Sequence, residues 1–351
     1  MKPFFHLSLL CLLLVLYQGN LNSQVNLFKD TSYQGKFSQV ENLVFEGAGI
    51  KGVAYSGVIK ELERTGVISN VKRVCGTSAG AITSLMVSLG YSSSEIYQII
   101  SATKFQKFND GQFIFLGGFA RLSKRFGWYK GKAFTKWLEE IIERKTGNKD
   151  ITFEQLKGSG FKELYVTATC LNKQKLVVFS RETYPKMKVK DAVRISMSIP
   201  LYFEAVFIDS LGNVVEHPKN ISDFDVMVDG GIIGNYPIFV FDSIINGTRI
   251  PNFNTIGVRI DTDNQIENDL KNQSLAPLEI QNFSDFMKAF YLIVIENLNR
   301  NALIKEDWER TISVSSVGIG PKIKRLSLEQ KTALMESGER HARLFLQKKN
   351  K

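Results

Sequence analysis

Apolar and polar positions along this chain follow two rhythms, and the switches between them mark its elements. Residues 42–46, Asn-Leu-Val-Phe-Glu, form a short extended run that breaks at once into Gly47-Ala48-Gly49-Ile50-Lys51-Gly52. From 53 to 65 the apolar positions Val53, Tyr55, Val58, Ile59 and Leu62 fall at helical spacing, so the stretch predicts strand, glycine turn, helix. The plan then repeats. Residues 71–75 predict a strand, Gly76-Thr77-Ser78-Ala79-Gly80 a turn, and 81–89 a helix of small residues ending near Gly90. Two such units in succession predict an α/β fold, a mostly parallel central sheet with helices on both faces.

Further strands are predicted at 164–169, 176–179, 226–228, 256–260 and 311–315, and helices at 132–145, 191–197, 284–299 and 327–348. Ser327 followed by Gln330 has the spacing of a reciprocal N-terminal cap for the last of these. Between 104 and 128 the rhythm is lost: Phe105, Phe108, Phe113, Phe115, Phe119, Phe126 and Trp128 are mixed with glycines and basic residues. Two readings stand for this segment, a cap packed on the core and a contact with lipid.

The N-terminus is different again. Lys2 precedes an apolar run at 4–17 that is broken only by His6 and Ser8. That run is shorter than the ~20 residues of a membrane-spanning helix, so residues 1–23 read as an export signal. Leu21 makes a cleavage near Ser23 an awkward one, and an uncleaved anchor is the alternative. No Pro/Gly/Ser-rich linker divides 24–351, which reads as one domain.

With 44% hydrophobic and 23% charged residues, the chain has the means for a packed core. The formal net charge of +10 suits an anionic surface, and beside an export signal it favours membrane over nucleic acid. Beyond the signal, Cys75 and Cys170 sit in apolar runs and read as buried free thiols. With no CxxC, and His217 and His341 as the remaining histidines, a Cys/His zinc site is not expected, and no cofactor is implied.

The chemistry concentrates at the glycine turns. Gly76-x-Ser78-x-Gly80 between a strand and a helix is the context of a nucleophile elbow, a tight turn that needs small neighbours and aims the serine hydroxyl into open space. Gly47-x-Gly49-x-x-Gly52 has two readings. A dinucleotide fingerprint requires an acidic residue about 20 positions on, and 66–72 holds none. An oxyanion hole requires inward-facing amides, with Lys51 adding positive charge. For the base, His217 lies in a polar loop and His341 in an amphipathic helix. Asp229-Gly230-Gly231, at the end of a strand, supplies an acid that can work on serine directly.

Taken together and in this order, the glycine-rich loop, the GxSxG elbow and the Asp-Gly-Gly triplet resemble the patatin-like phospholipases. The segment Ser196-Met197-Ser198-Ile199-Pro200 and the stretch Gly231 to Pro237 are similar to that family as well, and the likeness runs from about 41 to 240. The resemblance implies Ser78 as nucleophile, Asp229 as general base, and amides around Ala48 and Gly49 with Lys51 nearby as oxyanion stabilisers. It also implies a modified α/β sandwich, a phospholipid or other acyl lipid as substrate, and chemistry without a metal. An activating protein partner is left open. One departure is Ala48, where the family has glycine; alanine tolerates positive φ poorly. Two rival functions remain: a nucleotide-dependent oxidoreductase, and a non-catalytic lipid-binding protein that keeps the fold.

Overall fold

The computed structural model describes residues 39–111, 116–272, 274–283, 303–320 and 325–350, with positions 285, 286, 289 and 300. The expected export signal, Phe113, Phe115 and most of the helix expected at 284–299 lie outside the described residues.

Eight strands form the central sheet: β1 Asn42–Phe45, β2 Arg73–Gly76, β3 Glu163–Cys170, β4 Lys175–Phe179, β5 Val206–Ile208, β6 Asp225–Asp229, β7 Thr255–Asp261 and β8 Thr311–Ser315. Their spatial order is β8-β7-β1-β2-β3-β6-β5, with β4 also paired to β3. The run β8-β7-β1-β2-β3 is parallel, and β4, β5 and β6 join in antiparallel fashion. The mostly parallel α/β fold expected from the sequence is therefore the one observed.

Side chains alternate across the sheet as the pleat requires. Leu43, Phe45, Val74, Leu164 and Val166 enter the large core, whereas Val44, Cys75 and Tyr165 pack on the other side with Tyr236, Ile238 and Phe241. The longer helices among the described residues are α1 Ala54–Arg64, α2 Ala79–Ser88, α3 Ser93–Ala102, α4 Leu116–Arg125, α5 Lys132–Thr146, α6 Phe153–Gly158, α7 Val189–Ser196, α8 Asp263–Asn272 and α9 Leu328–Asn350. Every residue of α2 is buried, which explains its run of small side chains. Helix α9 has the reciprocal Ser327–Gln330 cap that its sequence predicts. Helices α3 and α6 start with the same device, Ser92 with Glu95 and Thr152 with Gln155.

One feature of the pairing positions the site. Val166 pairs with both Gly76 of β2 and Phe179 of β4, and Ala168 pairs with both Asp229 of β6 and Val177 of β4. Strand β4 thus takes one edge of β3 and leaves the other to be shared. Along that shared edge β2 runs parallel to β3 and β6 runs antiparallel to it, so their carboxyl ends meet head-on at Thr167. A turn leaving β2 and a side chain ending β6 are brought to one point.

Candidate active site

Ser78 lies between β2 and α2 with φ 53° and ψ −120°. This conformation is sparsely populated for a residue with a Cβ and costs on the order of 1–3 kcal/mol. The surrounding turn holds it in place. The Thr77 amide donates to the Phe45 carbonyl at 3.2 Å, and the Thr77 hydroxyl donates to the Gly234 carbonyl at 2.9 Å. The Ser78 amide donates to Ser196 Oγ at the end of α7, 2.9 Å away. The flanking glycines are required by contact: a Cβ on Gly76 would stand 2.2 Å from the Gly80 carbonyl, and one on Gly80 would stand 2.3 Å from the Phe45 carbonyl.

From this turn Ser78 Oγ donates to Asp229 Oδ2 at 2.8 Å and stands 3.3 Å from Met197 Sδ. The second carboxylate oxygen, Oδ1, accepts the Gly231 amide at 2.7 Å, and the Asp229 amide donates to the Ser198 carbonyl at 2.9 Å. Both side chains are buried. Burial pushes the Asp229 carboxyl up to about 6, against the lowering effect of the bonds from Gly231 and Ser78. It is therefore mostly ionised at neutral pH yet a far better proton acceptor than an exposed aspartate.

The glycine loop sits against the same turn. Gly47 packs on Asn235 and on Ser78 Cβ, and Gly52 on Ala79. The Lys51 amide donates to the Ala48 carbonyl, closing the 3-10 turn Gly49–Val53. Among the described residues no hydrogen bond is found from the amides of Ala48, Gly49 and Ala79. The first two open the 3-10 turn and the third opens α2. Amides of this kind, free at a helix start next to a nucleophile, are the donors that a developing oxyanion needs. Ala48 has φ −132°, and the positive φ of the loop falls on Gly49, at 53°. Alanine in place of the family's glycine therefore causes no backbone strain.

Lys51 reaches elsewhere. Its ammonium donates to the Ile260 carbonyl at 3.2 Å, at the end of β7. Behind the loop, Glu46 is held by Arg259 at 2.9 Å and accepts the Ile260 amide at 3.2 Å, while its carbonyl accepts the Tyr55 hydroxyl at 2.6 Å. Arg259 is fully buried, with Tyr236 and Trp308 against its guanidinium. This buried brace fixes the chain where it enters the loop.

The structure brings together Ser78, Asp229 and the glycines at 47–52, 76–80 and 230–231. The histidines bind elsewhere: His217 contacts Arg125 on the surface, and His341 Nδ1 meets the Ser337 carbonyl at 2.8 Å within α9. His341 is half-buried where α9 packs on α1. Cys75 and Cys170 are buried and free. The aromatic segment divides: Phe105 and Phe108 pack on Trp137, Phe108 also on Phe134, whereas Phe126 is exposed. Sequence reasoning assigned no role to Ala79, Ser196, Asn235 or the Glu46–Arg259 pair. Only the segment around Ser196 and the stretch through Asn235 carried a signal, as parts of the family likeness.

A family model for patatin-like phospholipases matches residues 43–242. The chain is 30% identical over 310 residues to an uncharacterised protein of Acanthamoeba polyphaga mimivirus, covering 86% of this chain and 92% of that one. It is 27% identical over 208 residues to a probable lipid hydrolase of invertebrate iridescent virus 6, covering 59% of this chain and 65% of the relative. Among solved structures, VipD from Legionella pneumophila shares the fold with a TM-score of 0.57, over 88% of this chain and 67% of that one, at 15% identity.

Proposed function

This chain belongs to the patatin-like phospholipase family, and from that membership we propose that it hydrolyses acyl esters of lipids through a Ser78–Asp229 dyad. The observation that carries the reading is the 2.8 Å hydrogen bond from Ser78 Oγ to a buried carboxylate, made from a turn whose backbone is held in a strained conformation. A probable lipid hydrolase among the relatives supports the reaction class.

Asp229 Oδ2 accepts the Ser78 proton as Oγ attacks the ester carbonyl. The Gly231 amide and the rigid end of β6 keep the carboxylate aimed throughout. The amides of Ala48, Gly49 and Ala79 hold the oxyanion, and the start of α2 favours its charge. Asp229 then delivers the proton to the departing alcohol or lysolipid oxygen, leaving an acyl ester on Ser78. Water, deprotonated by the same carboxylate, cleaves that ester and releases the fatty acid. Lys51 contributes a positive charge at the far end of the loop, directed through its contact with Ile260. No step calls for a metal. The export signal read at 1–23 sends this activity out of the cytoplasm, and N-terminal sequencing of the cell-derived protein tests that part.

The deciding experiment follows fatty-acid release from phospholipid vesicles in the presence of chelator, with Ser78→Ala and Asp229→Asn alongside. Release by the parent and near-zero release by both variants supports the dyad. Full activity in Ser78→Ala, or loss of parental activity on adding chelator, removes it.

A further inference from the structure

We propose that Phe126 and Leu201 form an interfacial anchor that seats this protein on an anionic phospholipid bilayer. The proposal rests on the acyl-hydrolase reading above and names the surface at which that reaction takes place. Phe126 has φ 63° and Leu201 has φ 67°. A left-handed backbone is a genuine outlier for bulky residues, and such outliers cluster where a surface has work to perform. Here the strained backbone turns both side chains out to water: Phe126 is 40% exposed and Leu201 is 68% exposed.

The two residues are neighbours. The Leu201 amide donates to the Phe126 carbonyl at 3.3 Å, where the short parallel strands Gly127–Tyr129 and Leu201–Phe203 begin to pair. Beneath them, Phe126 packs on Phe207, and the Arg125 guanidinium lies over the same Phe207 ring.

The charge around this apolar pair is one-sided. Residues 111–138 contain no Asp or Glu, and they contain Arg121, Lys124, Arg125, Lys130, Lys132 and Lys136. Lys124 and Lys130, on either side of Phe126, are exposed. The acids that this segment meets are Glu204, beside Arg121, Glu216, paired with Lys132, and Asp110, whose carboxylate accepts the Gly131 and Ala133 amides. Basic side chains level with anionic headgroups, and two apolar side chains reaching below them, match the layering of a bilayer surface.

The anchor is also joined to the candidate active site. Buried Arg194 donates to the Lys130 carbonyl at 2.9 Å and to Ser198 Oγ, and the Ser198 carbonyl holds the Asp229 amide. Leu201 is three residues beyond Ser198. A bilayer engaged by Leu201 therefore docks on the segment that also positions Asp229.

Hydrogen exchange of the full chain, with and without vesicles of phosphatidylcholine and phosphatidylserine, tests the proposal locally. Protection of 121–132 and 199–206 by the anionic vesicles, lost when phosphatidylserine is omitted or salt is raised, is the expected result. The run at 4–17 can itself enter lipid, so vesicle partitioning is compared between the parent and Leu201→Gly, and between the parent and Phe126→Gly. Glycine suits the backbone at both positions, so Leu201→Gly melts no lower than the parent; Phe126→Gly also loses its contact with Phe207 and is compared at a temperature where both proteins are folded, and each variant weakens partitioning about tenfold. A third variant, Lys124→Glu with Lys130→Glu, weakens binding to anionic vesicles only. Unchanged partitioning in all three, or protection confined to other segments, overturns the anchor. So does a parent that self-associates through this face, with Leu201→Gly monomeric by light scattering, because the surface then serves a second copy. Hydrolysis of a soluble short-chain ester by the parent is measured in parallel. Its absence removes the hydrolase reading, whereas its presence without vesicle protection removes the anchor alone.

Discussion

Asn235 and Gly47 clasp each other twice: the Gly47 amide donates to the Asn235 carbonyl at 3.0 Å, and the Asn235 side-chain amide donates to the Gly47 carbonyl at 3.1 Å. The two residues are 188 positions apart. The clasp joins the segment after Asp229 to the loop with the free amides, so base and oxyanion donors form one rigid unit. Asn235→Ala removes one of the two bonds and leaves room for the loop to shift. Misplacing donors by even 1 Å costs up to about 10²-fold in rate. The expected outcome is a kcat lowered roughly 10- to 100-fold with KM little changed, measured on a soluble ester so that lipid binding does not enter.

The strain at Ser78 gives an unusual order of stabilities. Ser78→Ala and Ser78→Gly both remove the nucleophile and both abolish turnover. Alanine keeps the Cβ in an unfavourable backbone conformation, whereas glycine accepts φ 53° freely. Ser78→Gly is therefore expected to be more stable than Ser78→Ala by about 1 kcal/mol, read from urea midpoints. Equal midpoints would mean that the elbow is not strained.

Asp229 ties activity and stability to the same titration. The carboxylate must be ionised to take the serine proton, so kcat/KM falls as pH drops through about 6. Stability moves the other way. The folded carboxyl sits at about 6, above its ordinary value of 3.8, because burial disfavours the charge. Its neutral form stabilises the fold fully below that ordinary value, and this stabilisation is lost as pH rises through about 6. Asp229→Asn has no such loss. Its advantage over the parent is expected to grow between pH 4 and 7 to as much as about 3 kcal/mol in chemical denaturation, with turnover close to zero.

The two small residues flanking the site differ sharply in tolerance. A Cβ on Gly80 would stand 2.3 and 2.5 Å from the carbonyls of Phe45 and Glu46, main-chain atoms that have little room to yield. Gly80→Ala is expected to cost about 3 kcal/mol or more and to remove activity. Ala48 lies at φ −132°, which suits alanine, and its side chain is not required for the turn. Ala48→Gly should keep kcat/KM within about threefold of the parent and lower the melting temperature slightly, through the entropy of the unfolded chain.

The amino-acid sequence determined the local pieces of this protein. Two strand–turn–helix units, the spacing of glycines around Ser78, the Asp-Gly-Gly triplet and the cap at Ser327 are written in short windows, because turn geometry and helix periodicity depend on neighbours a few residues away. Their order along the chain was enough to show the resemblance. The conformation of Ala48 was not legible, since sequence cannot say which residue of a glycine loop takes the positive φ; the structure gives it to Gly49. The partner of Lys51 was not legible either: its ammonium reaches the Ile260 carbonyl at the end of β7, and nothing in its own segment reveals where β7 terminates.

What only the tertiary structure decided is the meeting of the parts. Ser78 and Asp229 are 151 residues apart, and they touch because β2 and β6 approach Thr167 from opposite directions along one edge of β3. Ser196, Asn235 and the Glu46–Arg259 brace likewise act across long separations. The exposure of Phe126 and Leu201 is of the same kind. Sequence showed two apolar residues of the sort that usually fill a core, and a left-handed backbone where two short strands begin to pair turned them outward. Strand pairing and side-chain closure depend on which edges remain free after the rest of the sheet has formed. That is a property of the whole chain, and no local window contains it.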